Sequence, residues 1–193
     1  MKKNNSIITS VVLLVIIASL YRVLPGRPLG FAPQIAMALF AGSIVKDKKF
    51  AFLLPLLTML FSDIIYEILF QFKVSSIPGF YNGQLINYLL FAVLTVVGFA
   101  IKKSNPAQIL AGSVAGVSVY FLLSNFTVWI SGGLNINNLP YPKTVDGLIA
   151  CYTAAIPFLR GSFYATLIFS GILFGGYALF TKYFEQKIFV SQL

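Results

Sequence analysis

Asp63 and Glu67 are the two residues of this chain best suited to chemistry. They stand four apart in an apolar stretch, so on a helix they share one face. A carboxylate inside a membrane helix is costly and turns to a cavity or a partner. Two on one face repel unless one is protonated or a cation lies close. Two readings follow. The pair recognises a polar or cationic ligand or couples an ion, or it forms salt bridges within the bundle, for instance with Arg22, Arg27 or Arg160. Glu67 is expected near the outer interface and Asp63 about one turn deeper.

Further candidates lie in the second half of the chain. Asn125 brings two donors and two acceptors that lipid cannot satisfy, so it is expected to point inward, to a ligand or another helix. Trp129 fits either an aromatic belt at headgroup level or a ring that stacks on a flat ligand. Tyr141 offers a second covering ring, and Tyr152 a hydroxyl for hydrogen bonding. Arg160 reads either as an anchor for an anionic ligand group or as a snorkelling interfacial residue. Cys151 lacks an activating histidine, since the chain has none, and reads as a buried thiol, not a nucleophile. The same absence argues against most transition-metal and haem sites, and no cofactor is expected. A single cysteine allows no intrachain disulfide. These features do not describe an enzyme.

The elements that must position these residues are apolar throughout. Of 193 residues 58% are hydrophobic and 10% charged, whereas soluble domains carry about 25% charge. A water-soluble fold of this size has no core large enough for so much apolar surface. The expected class is all-α: one polytopic membrane domain over residues 1–193, because an open sheet edge cannot exist in lipid. A crossing takes about 20 residues. Six apolar stretches come close: Ile7 to Leu24, Pro33 to Val45, Phe50 to Phe70, Gly83 to Ile101, Ala107 to Ile130 and Gly161 to Tyr183. The first follows Lys2 and Lys3 but has no A-x-A cleavage site after it, so it reads as a retained helix. Gly147 to Leu159 is apolar but short, and is expected to be re-entrant, interfacial or packed on the bundle ahead of the last helix.

The net charge of +9 is spread in short clusters, which is the pattern of topology determinants and not of a nucleic-acid interface. With both termini inside, the inner face receives Lys2, Lys3, Lys46, Lys48, Lys49, Lys102, Lys103, Lys182 and Lys187. The outer face receives Arg22, Arg27, Lys73, Lys143 and Arg160. The bias favours six crossings with cytoplasmic termini in a bacterial cytoplasmic membrane. The outer connections hold the Arg, Asn, Tyr and Pro residues, so a site open to the outside is expected.

Four stretches resemble a bacterial family of small six-helix membrane proteins: Arg22 to Gly42, Phe50 to Asp63, Ser124 to Trp129 and Tyr141 to Phe158. The overall plan is similar to the substrate-binding S components of energy-coupling-factor vitamin transporters. That resemblance implies a binding subunit for a small organic nutrient, with a pocket near the outer surface and a transmembrane coupling subunit with ATPases as partner. The chain itself carries no Walker A sequence. The first helix departs from the alanine-rich face of that group: it has Ala18 alone, with Ala32, Ala36 and Ala41 on the second. The alternative is a structural or assembly protein that binds another envelope protein without a small-molecule ligand. It predicts that Asp63 and Glu67 are fully paired and that the outer half encloses no polar-lined pocket.

Overall fold

The structure of the protein, a computed structural model, describes the backbone of residues 2–190 and the side chains of residues 13–183. The side chains of Lys2, Lys3 and Lys187, which weigh in the charge bias, lie outside the described residues. Among the described residues seven helices follow in order: α1 (Lys2–Val23), α2 (Gln34–Ile44), α3 (Lys48–Ala51), α4 (Leu53–Gln71), α5 (Gln84–Phe99), α6 (Pro106–Ile130) and α7 (Val145–Val190). The only β pairing among the described residues is an isolated bridge between Leu134 and Pro140. The all-α expectation therefore holds.

Three described stretches are long and apolar enough to cross a membrane: Lys48–Gln71, Pro106–Ile130 and Val145–Tyr183. The apolar helices Leu13–Val23, Gln34–Ile44 and Gln84–Phe99 are shorter. The expectation of six crossings is met in length by these three stretches alone. Helix α2 shows one reason why. Its residues from Gln34 to Gly42 are all buried, so it is packed among the other helices and presents little surface to lipid. Small residues make that position open to it. A Cβ added to Gly42 would lie 2.2 Å from the Thr95 carbonyl oxygen, and one added to Gly98 would lie 2.5 Å from that of Leu39. The backbones of α2 and α5 thus touch directly, as small residues permit. Gly116 gives α6 a similar approach to the Leu39 side chain.

Local chemistry sets several boundaries. Pro55 has no N–H for the Ala51 carbonyl, and the helix breaks there into α3 and α4 at Phe52. Asn105 caps α6 by accepting from the Gln108 N–H at 3.1 Å, with Pro106 at the first helical position. The lysine turns gather at one end of the bundle. The Ser43 hydroxyl donates to the Ile101 carbonyl at 2.8 Å, which joins the last turn of α2 to the turn after α5. Lys48 lies over the Phe99 ring, and Lys103 donates to the Tyr177 hydroxyl at 2.9 Å.

The stretch from Gly147 to Leu159 corrects an expectation. It is not a separate re-entrant or interfacial segment: it forms the start of α7, one continuous helix of 46 residues with Pro157 inside it. At 1.5 Å per residue this helix is about 69 Å long, well beyond the thickness of a bilayer core. Pro157 and Gly161 look like breakers, yet α7 continues through both. Gly161 serves packing: a Cβ there would lie 1.8 Å from the Leu29 carbonyl oxygen, so its bare backbone receives the α1–α2 loop.

Candidate functional site

Asp63 is buried and fully engaged. One carboxylate oxygen pairs with Arg22 Nη1, and the side chains are 2% and 19% exposed. The other accepts from Gln84 Nε2 at 2.6 Å and from the Tyr88 hydroxyl at 2.7 Å. Arg22 also donates to the Ser62 hydroxyl, and its own carbonyl accepts from Tyr66 at 2.8 Å and from Arg27 at 2.9 Å. Of the two readings of this carboxylate, the ion pair with Arg22 is the one present. The cluster joins α1, α4 and α5 into one unit.

Glu67 turns elsewhere. One of its oxygens accepts from Gln71 at 2.7 Å and the other from the Gly79 N–H at 3.1 Å. Gly79 sits flat on α4, since a Cβ there would come within 1.9 Å of the Asp63 carbonyl oxygen. Gln84 then bridges the Gly79 carbonyl and the Asp63 carboxylate. The two acidic residues therefore do not converge on one ligand position. Together they fasten the 72–83 loop to α4.

A cavity lies between α6 and α7 beneath the 131–144 loop, and its Tyr120 packs on Phe91 of α5. Its volume is about 480 Å³, and its lining includes Tyr120, Ser124, Asn125, Tyr141, Cys151 and Phe158. Helix spacing explains it. Ser113 meets Ser170 across α6 and α7, yet Leu122 already meets Tyr152, twice as far along α7 as along α6. The two helices run out of step between these contacts, with Pro157 in the interval, and space opens there. The α1–α2 loop lies against the α7 wall, where Ser162, another lining residue, donates to the Gly30 carbonyl at 3.1 Å.

Hydrogen-bonding capacity inside the cavity is neutral and partly unspent. Asn125 donates to the Phe121 carbonyl at 2.8 Å, which leaves its amide oxygen and one N–H available. The hydroxyls of Tyr120 and Tyr141 form no hydrogen bond among the described residues. No Lys, Arg, Asp or Glu is among the lining residues. Of the residues expected to hold a ligand, Asn125 and Tyr141 are thus brought together here, while Asp63, Glu67, Trp129, Tyr152 and Arg160 are not in the lining.

Those last three have other surroundings. Trp129 donates to the Pro142 carbonyl at 2.8 Å, and Lys143 bonds the Trp129 carbonyl and lies over its ring. Trp129 thus ties down the cavity's covering loop. Tyr152 donates to the Leu122 carbonyl at 2.8 Å and packs on Phe121, closing one end of the α6–α7 contact. Arg160 is exposed and has no ion pair among the described residues. The loop has internal order of its own: Asn135 accepts from the N–H groups of Asn137 and Leu139, and Asn138 takes the left-handed conformation that asparagine tolerates. Trp129→Phe, which keeps a ring and removes the donor, is expected to loosen this cover by about 1 kcal/mol. Limited proteolysis within 131–144 should then run faster than in the parent protein.

A family of unknown function, DUF6580, matches residues 2–188. The chain belongs to that family. No curated protein and no solved structure matches it.

Sequence reasoning passed over several residues of both sites. Gln84 and Tyr88 stand four apart at the start of α5 and share a face, and that spacing of two polar side chains was the available signal. On α7, Cys151, Ala154, Ala155, Phe158, Leu159 and Ser162 follow the three-and-four spacing of one helix face. That face is visible only when the helix is read straight through Pro157.

Proposed function

We propose that this protein is a membrane-embedded binding subunit that takes up a small, neutral organic molecule in the cavity between α6 and α7. The observation that carries this reading is a cavity of about 480 Å³ whose free polar groups, Tyr120, Asn125 and Tyr141 among them, are uncharged. Its volume falls in the range of roughly 300–1,000 Å³ usual for ligand pockets. Asn125 and Tyr120 orient the ligand by hydrogen bonds, Tyr141 covers it, and Trp129 holds the loop above. Asp63 and Glu67 keep α1, α4, α5 and their loop in place and do not touch the ligand.

The topology in this reading is six crossings with both termini in the cytoplasm of a bacterium and the cavity toward the outer face. The gathering of Lys46, Lys48, Lys49, Lys102 and Lys103 at the opposite end supports it. The plan resembles that of S components, in which case a transmembrane coupling subunit with ATPases supplies the energy. The assembly-protein reading draws on the complete pairing of Asp63, but the cavity speaks against it.

Asn125→Leu is expected to weaken ligand binding roughly tenfold or more, since it removes the amide and leaves ligand groups unpaired. Folding should be little affected, because the only described bond of that side chain is to its own helix. The measurement is the molar ratio of small molecule to protein after organic extraction, with Arg160→Gln, outside the cavity, as the unchanged control. An equal ratio in Asn125→Leu and parent would sink the proposal.

A further inference from the structure

The cavity has two kinds of wall, and the contrast identifies the class of molecule it takes. Tyr120, Asn125 and Tyr141 provide neutral hydrogen-bonding groups, whereas Val128, Leu134, Ile136 and Phe158 line it with apolar surface that is itself exposed, Ile136 to 92%. Val128 and Phe158 belong to the two stretches, Pro106–Ile130 and Val145–Tyr183, that are long and apolar enough to cross a bilayer. At 1.5 Å per residue the α6 lining from Val117 to Val128 spans about 16 Å, at the end away from the lysine turns. That is about half of a hydrocarbon core roughly 30 Å thick.

The exposed Val128 and Phe158, on stretches long enough to cross a bilayer, fit acyl chains and not water. If the mouth opened to solvent, those side chains would stay hydrated, which is unfavourable. The lack of charge points the same way. An ionised headgroup drawn into this cavity would leave water with no charged side chain in the lining to pair with. The walls also differ in position: Tyr120 and Asn125 face the interior of the cavity, and Val128 and Phe158 form its exposed edge.

We infer that the molecule bound here is a neutral amphiphile that partitions into the outer leaflet and enters sideways between α6 and α7. Its hydroxyl or carbonyl end bonds to Asn125 and Tyr120, and its apolar body lies along Val128 and Phe158. This inference rests on the binding reading above and narrows its substrate class from organic solutes in general to membrane-soluble ones.

The chain's single tryptophan supplies the test, since Trp129 adjoins Val128 and bonds to the loop over the cavity. The protein is placed in phosphatidylcholine nanodiscs. Brominated monoacylglycerol, brominated fatty acid at alkaline pH and brominated phosphatidylcholine are added at equal mole fractions, and Trp129 fluorescence is read. The expected result is saturable quenching by the monoacylglycerol that exceeds the other two and is lost in Asn125→Leu. Equal, non-saturating quenching by all three overturns the inference. Organic extraction of the same nanodiscs separates the two levels. A retained water-soluble molecule beside non-specific quenching defeats the amphiphile but keeps the binding reading, and no retained molecule beside non-specific quenching defeats both.

Discussion

Replacing Arg22 by methionine is expected to lower the stability of the folded protein by about 3 kcal/mol or more, the usual cost of stranding one charge of a buried pair. The Asp63 side chain is only 2% exposed, so water cannot substitute for the guanidinium. Gln84 and Tyr88 would remain, but both bind the same carboxylate oxygen and neither carries charge. The double variant Arg22→Met/Asp63→Asn should recover most of the loss, because the amide oxygen still accepts from Gln84 and Tyr88 while the stranded charge is gone. Thermal unfolding followed by fluorescence-detected size exclusion in mild detergent measures both. A direct ligand-binding role for Asp63 predicts a different pattern: the Asp63→Asn single variant would keep its unfolding midpoint and lose its ligand.

The second large effect concerns the contact between α2 and α5. Gly98→Val places a branched side chain where a Cβ already lies 2.5 Å from a backbone oxygen of Leu39. Backbone cannot move aside as a side chain can, so the helices must separate, and a loss of about 3 kcal/mol or more is expected. Gly171 is the contrast: a Cβ there meets nothing within 4 Å. Gly171→Ala should be neutral or gain up to about 1 kcal/mol from better helix propensity. Comparing the two unfolding midpoints separates packing from propensity. Similar losses in both would mean that α2 and α5 do not touch as described.

Much of the architecture was legible in the residues. Helix boundaries follow Pro106, the lysine turns and the Gly-Asn-Pro loop, because capping and turn chemistry are local. The close approach at Gly42 and Gly116 uses small residues, which helices need wherever their backbones come near. Less legible was whatever depends on distant parts of the chain. Pro157 and Gly161 look like the end of a helix until the α1–α2 loop is laid against Gly161. Asp63 looks poised for a ligand until Gln84 and Tyr88, more than twenty residues later, are seen to bond to it. Asn125 and Tyr141 could be singled out by type, but their meeting at one cavity depends on how α7 departs from α6.

Native mass spectrometry of the protein released from nanodiscs tests the claim of a small-molecule cavity between α6 and α7 most directly. The parent chain is compared with Ala155→Trp, which puts an indole into the cavity lining. The expected result is a bound species of small-molecule mass on the parent that is missing from Ala155→Trp while the variant stays folded. The same bound mass on both, or bare protein in both, would contradict a ligand site between these helices.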